Sequence, residues 1–191
     1  MPSITVEPTH PDRWDDVVTA FGRRGDDQSW CWCRRFLGPS DGPDPADNRA
    51  ALRHEIEQSS VPPGLVAYLD GRPVGWTRVM PRVDLPGVLA NSALRRVLSD
   101  DPGAWWVTCF AVDQRARGKG VGSALLRAAV DHAGRHGATA VEGHPVDVDA
   151  LKASRVAGSA VFTGTMAMFV AAGFVEVGRS YPSRPVMRRP L

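Results

Sequence analysis

The 191-residue chain has no run approaching the roughly 18 uninterrupted apolar residues that a membrane-spanning helix needs. Its start, MPSITVEPTHPDRW, does not set a basic segment before an apolar one, so no secretion signal is expected. Cysteine is scarce. Cys31, Cys33 and Cys109 make no disulfide framework, and a bridge within Cys31-Trp32-Cys33 would close a strained ring. Free thiols point to a reducing, cytoplasmic setting. A large excess of one charge is missing too: the net charge of +2 makes no electrostatic case for nucleic acid. No internal repeat is visible. What remains is ordinary for a globular chain, 43% hydrophobic and 23% charged, and 191 residues suit one domain with a sizeable core.

Periodicity divides residues 1–191 into alternating elements of that single domain. Ile4-Thr5-Val6 reads as a short strand ahead of Pro8 and Pro11. Trp14, Val17, Val18 and Phe21 fall on one face of a helix. A Pro/Gly/Asp loop, 38–47, precedes a polar helix over about 46–58. Gly64–Leu69 and Val74–Met80 read as strands joined through Asp70-Gly71, a hairpin signal. A short helix is expected around 91–99. Trp105–Val112 is almost wholly apolar, as a central strand should be. Val121, Leu125, Ala128, Ala129 and His132 mark a helix closed by Gly134 and Gly137. A strand at Ala138–Glu142, a long connection over 145–161, a helix at about 164–172 and two strands, Phe174–Val177 and Pro185–Arg188, complete the chain. Strand–helix–strand over 105–142 implies a parallel pair, whereas the hairpin implies antiparallel neighbours. The fold class expected is therefore α/β (α+β): a mixed, mostly antiparallel sheet flanked by helices.

The chemistry-bearing stretch is CFAVDQRARGKGVGSALL at 109–126. Gly118, Gly120 and Gly122 keep backbone amides uncrowded just where a helix begins. A helix start offers unpaired N–H groups and about half a positive charge. With Arg115, Arg117 and Lys119 beside it, the turn suits a pyrophosphate; a plain glycine-rich turn with solvated arginines is the other reading. A Walker loop would need Ser or Thr directly after Gly118-Lys119, where Gly120 stands. A dinucleotide fingerprint would need a different last interval and an earlier strand. Neither fits.

Arg117-Gly118-Lys119-Gly120-Val121-Gly122 instead resembles the pyrophosphate signature of the GNAT superfamily of acyl-CoA-dependent N-acetyltransferases. Phe110-Ala111-Val112-Asp113 before it and Ser123-Ala124-Leu125-Leu126 after it are similar to the family's fourth strand and following helix. Met168-Phe169-Val170-Ala171-Ala172-Gly173-Phe174 resembles a second family motif about 50 residues on. The resemblance implies a central parallel pair splayed at an acyl-CoA site. It implies that amides from Arg117 through Gly122, with Ser123, hold the pyrophosphate of acetyl-CoA, a cosubstrate. The pantetheine arm would run along Phe110, Ala111 and Val112, and Phe169 would line the same site. An amine would attack the thioester directly, with a backbone N–H near Val112 stabilising the oxyanion.

The sequence departs from the family where a tyrosine commonly protonates the leaving thiolate: that residue is Phe169. Thr163, Thr165 and Ser159 carry hydroxyls nearby without matching the tyrosine. The base is open between Glu142 and His144, which share a face if the strand persists; a solvated strand end is the other reading. Cys109 reads as a packed core thiol rather than a nucleophile. Trp30 and Trp32, in WCWCRRF, read either as an acceptor-binding wall or as packing. Asp147 and Asp149 read either as an attraction for a cationic amine or as solvated turn formers. No metal is expected, because Cys31 and Cys33 lack partners at ligand spacing. The expected function is acetyl transfer to a primary amine of a small molecule. A protein, peptide or aminoacyl-tRNA acceptor, or a non-catalytic acyl-CoA sensor, stands as the alternative. A homodimer is compatible with the sequence, a membrane partner is not expected, and nucleic acid is disfavoured.

Overall fold

A computed structural model describes residues 3–34, 36–38, 47–153 and 158–191 of the chain. Seven strands form one sheet: β1 (Ile4–Pro8), β2 (Gly64–Leu69), β3 (Arg72–Pro81), β4 (Ala104–Val112), β5 (Ala140–Gly143), β6 (Val175–Tyr181) and β7 (Arg184–Pro190). Their order is β1-β2-β3-β4-β5-β7-β6, and only the β4–β5 neighbours run parallel. The hairpin at Asp70-Gly71 forms as expected, with φ of 51° and 78°. Positive φ at both turn residues matches the strands' right-handed twist.

The helices are α1 (Trp14–Ala20), α2 (Asn48–Gln58), α3 (Pro86–Leu89), α4 (Ser92–Arg95), α5 (Val121–Arg135), α6 (Val148–Ala153) and α7 (Met166–Ala171). Where one short helix was expected around 91–99, there are two. Asn91 interrupts them, its side-chain oxygen accepting from the amides of Ala93 and Leu94 at 3.0 and 3.1 Å. Residue 91 thus starts a new helix instead of continuing an old one. The connection over 145–161 likewise contains a helix, α6, whose first turn is capped by Asp147 through the Ala150 amide at 3.1 Å. No described helix is long and apolar enough to cross a membrane.

The sheet separates two cores. On the α5 face, Leu65, Ala67, Trp105, Val107, Val141 and Met187 meet Val121, Leu125, Leu126 and Ala129 of α5 and Phe169 of α7. On the α1 face, Val66, Trp76 and Cys109 meet Trp14, Val17 and Phe21, with Leu52 and Ile56 of α2. Farther along that face Trp106 and Val186 meet Leu85, Val88 and Leu94. The β3–β4 register slips from Arg78↔Cys109 to Val79↔Val107, which makes Thr108 an extra residue in β4. Such a bulge resets the alternation, so Trp106 and Cys109 reach the same face.

One expectation is overturned here. Cys109 is not a free core thiol: it is joined to Cys33, 76 positions away, and only Cys31 remains free and exposed. The bulge that turns Cys109 toward the α1 face is what brings it under the loop carrying Cys33. The bond removes the ground for reading all three cysteines as thiols.

Candidate active site

The glycine turn stands as the sequence suggests. Gly118 and Gly120 have φ of 74° and 86°, a left-handed backbone that side chains rarely adopt. Gly120 caps α5 with no side-chain help. The first amides of α5, at Val121, Gly122 and Ser123, lie where a helix has no internal acceptors to offer. Arg115, Arg117, Gly118, Lys119 and Gly120 are exposed around them. Arg117 Nε donates to the Val112 carbonyl at 3.4 Å, folding that cation back over the end of β4. The result is a cationic rim around unfilled backbone donors, suited to a diphosphate.

The central strands part where that turn begins. β4 pairs with β5 only from Ala104↔Ala140 to Val107↔Gly143; from Cys109 to Val112 it keeps its β3 partner alone. Phe110, Ala111 and Val112 therefore border an opening, each only partly buried. Phe169 closes the opening on the α5 face. It is fully buried, edge-on to Phe110 at 6.4 Å and to Phe174 at 4.9 Å. A Cβ on Gly143 would sit 2.5 Å from the Phe169 ring, so only glycine lets this ring lie against β5.

Beyond Gly143 the chain of β5 gains a different neighbour. The Val146 amide donates to the Gly164 carbonyl at 3.0 Å, and the Met166 amide to the Val146 carbonyl at 2.8 Å. The next amide, Asp147, turns the other way, to Ser183 beside β7 at 3.1 Å. Residues 164–166 thus take the edge that β4 vacates. Phe162 packs into the α1-face core, while Met166 and Met168 pack into the α5-face core. The segment crosses from one face to the other through the opening.

The two candidate bases fare differently. Glu142 lies in the paired part of β5, 1% exposed, with Arg82 Nη1 and Arg188 Nη1 each donating to its carboxylate at 2.6 Å. Two guanidinium groups enclose it as a structural anion, so the structure does not bring it to the opening. His144 is past the split, half-buried, with Nε2 2.6 Å from Ser180 Oγ and its ring 6.5 Å from that of Trp106. Burial, then the Arg184 charge, lowers its imidazole to about 4, so it is neutral at physiological pH.

Trp32 is not at the opening either. It is fully buried, 6.0 Å from Trp14 and 4.4 Å from Phe21, with Nε1 donating to the Asp27 carbonyl at 2.8 Å. This is core packing, not a wall. Trp30 stays half-buried, with the Arg24 guanidinium 4.1 Å above its ring. Asp147 is held by Arg179 Nη1 at 2.8 Å, whose hydrogen bond keeps the carboxyl below its usual range; Asp149 is exposed. Ser159 lies where no side chain is described. Among the described residues no cluster of His, Cys, Asp or Glu could hold a metal.

The sequence reading missed Thr163, Ser180 and Arg184 as a group. Ser180 Oγ, beside His144, lies 3.4 Å from the Arg184 carbonyl, and Arg184 Nη1 donates to Thr163 Oγ1 at 2.9 Å. They come from three separate elements, and no local spacing announces them.

The structure thus sets a glycine turn, rimmed by cations, at the start of α5 and a split parallel pair beside it. Over residues 26–157 the chain matches the acetyltransferase (GNAT) family, and it belongs to that family. Solved structures share the fold at low identity. A GCN5-related N-acetyltransferase from Kribbella flavida is 21% identical, with 98% of each chain covered and a TM-score of 0.56. A ribosomal-protein-alanine N-acetyltransferase from Brucella melitensis is 16% identical, covering 98% of this chain and 99% of its own, with a TM-score of 0.55. The aminoglycoside acetyltransferase AAC(6')-Ib in complex with coenzyme A is 17% identical, covering 98% and 95%, with a TM-score of 0.54. No curated protein sequence matches the chain.

Proposed function

We propose that the protein transfers acetyl from acetyl-CoA to a primary amine of a small molecule, by direct attack with both substrates bound. The observation that carries this reading is the parting of β4 from β5 directly before the glycine turn that opens α5. The amides of Gly118 to Ser123 meet the diphosphate. The free edge of β4 at Phe110–Val112 takes the pantetheine as an added strand. Neutral His144, with Ser180, waits past the split to accept the proton released as the amine attacks. An oxyanion would form beside the bulged backbone of β4, where preorganised amides serve it best. The small-molecule acceptor is supported by analogy, since AAC(6')-Ib has been solved with coenzyme A and kanamycin.

Calorimetric titration with coenzyme A tests the first half, and thiol release across an amine panel tests the second. His144→Phe should keep coenzyme A affinity and lower kcat about 100-fold, the low end for a general base. With its imidazole near 4, the wild-type acid limb should lie well below that of an ordinary histidine. Tight coenzyme A binding with no turnover on any amine would favour the sensor instead, for which Phe169 in the tyrosine position speaks. An unchanged pH–rate profile in His144→Phe would remove His144 as base.

A further inference from the structure

We infer that Met168 sets the length of the acyl group, its thioether closing the acyl end of the site so that acetyl fits and longer chains do not. The inference rests on the acetyl-transfer reading above and names the residue that restricts the donor.

Met168, in α7, is partly buried, and its side chain spans two glycines. A Cβ on Gly122 would lie 3.2 Å from Met168 Sδ, and a Cβ on Gly164 would lie 2.5 Å from Met168 Cε. Gly122 is in the first turn of α5, beside the diphosphate cradle. Gly164 begins the segment that takes the edge vacated by β4. The same Cβ on Gly164 would lie 3.1 Å from Phe110 Cε2 and 3.2 Å from Phe169 Cε2. The methyl end of Met168 and the rims of both rings therefore meet over one glycine. Its φ of 83° suits glycine and opposes a side chain there.

The direction of β4 says which end of the cosubstrate arrives at this meeting point. The strand runs toward the glycine turn, so an arm anchored at the turn passes Val112 first and reaches Phe110 last. The thioester ends the arm, and its acyl chain then faces Phe110, Phe169 and Met168. Of the three, Phe169 is the fixed wall, fully buried between Gly143 and the Phe174 ring. Met168 is the unbranched side chain, and a longer acyl chain must move it off both glycines. A closed apolar pocket separates ligands that differ by one methylene by about 10- to 200-fold.

The test is calorimetric affinity for coenzyme A, acetyl-CoA and butanoyl-CoA, which needs no acceptor amine. Wild-type protein should bind acetyl-CoA more tightly than butanoyl-CoA by at least about tenfold. Met168→Ala, which removes the whole thioether, should bring the two affinities level and leave that for coenzyme A itself unchanged. Met168→Val, a milder shortening, should fall between. Met168→Leu, which keeps most of the volume, should retain the wild-type preference. Equal affinity for the two thioesters in wild-type protein overturns the inference. So does an unchanged preference in Met168→Ala and Met168→Val with coenzyme A affinity intact. A shift in Met168→Leu as large as in Met168→Ala overturns it too, since the effect would then come from the packing of α7. Absence of coenzyme A affinity in wild-type protein overturns the acetyl-transfer reading itself, and this inference with it.

Discussion

The two faces of the sheet are built on different principles. The α5 face is a continuous apolar layer whose helix follows directly from the strand it covers. The α1 face is tied by distant polar and covalent links. Cys33 bonds Cys109 across 76 positions, Arg78 clasps Glu55 across 23, and Glu142 reaches Arg82 across 60 and Arg188 across 46. The start of α5 and the Phe110–Phe169 pair belong to the first face, and the His144–Ser180–Arg184–Thr163 group belongs with the second. A cosubstrate common to a family can be held by local backbone geometry. An acceptor particular to one protein is met by side chains gathered from far apart.

Breaking the covalent link should have the largest effect on this contrast. A crosslink between residues 76 apart contributes about 4 kcal/mol in the chain-entropy account. Cys33→Ser with Cys109→Ser, or chemical reduction, should lower Tm by roughly 10 °C for a chain of this size. Coenzyme A affinity measured below the new Tm should stay within a factor of two or three, because the glycine turn lies on the other face. An unmoved Tm under reductant would mean that the bond does not form, and a collapse of affinity would mean that the faces are not independent.

Next in size is the reverse experiment on the α5 side. Gly120 has a φ of 86°, and the nearest atom to a Cβ there is Ile4 Cδ1 at 3.9 Å. Space is thus available, but the backbone conformation opposes a side chain, at a cost of about 1–2 kcal/mol. Gly120→Val should tilt the first amides of α5 away from the diphosphate. Losing one charge-assisted hydrogen bond, worth about 1.5–3 kcal/mol, weakens coenzyme A binding about 10- to 100-fold. The α1-face core should be unaffected, which near-ultraviolet circular dichroism of its tryptophans would report. Undiminished affinity in this variant would remove the turn from the binding site.

The same contrast decides what could be read before the fold was seen. The glycine turn, the strand before it and the helix after it are contiguous, so spacing alone located them. The split after Gly143 followed from the resemblance, since pairing across strands is not written in either strand. Glu142 and His144 looked equivalent because they alternate onto one face. Only Arg82 and Arg188, arriving from two other elements, distinguish the enclosed carboxylate from the half-buried imidazole. Trp32 was ambiguous for a like reason: its burial depends on Trp14 and Phe21, and aromatic residues serve cores and walls alike. Cys109 does face away from Phe110 as alternation suggests, but its bond to Cys33 joins residues 76 apart, and nothing local to either cysteine marks that pairing.

The smallest expected effect probes the one strongly shifted histidine on the α5 face. His132 is 1% exposed, with Nε2 3.1 Å from the Pro62 carbonyl and its ring 4.4 Å from that of His136 and 5.9 Å from Trp105. Burial, followed by repulsion from His136 and Arg135, lowers its imidazole to about 4 from an ordinary 6.5. Between those values the unfolded chain binds a proton that the folded chain does not. Stability therefore rises with pH through this window and is lost as pH falls from about 6.5 toward 4, levelling below. His144, lowered to about 4 on the other side, acts in the same direction. Each histidine can supply at most about 1.4 kcal/mol per pH unit. Urea midpoints measured across the window should therefore slope less in His132→Leu, and less again when His144→Phe is added. If His132→Leu left the slope unchanged, the acid sensitivity would belong entirely to the α1 side, and the apolar face would be as indifferent to protons as its composition suggests.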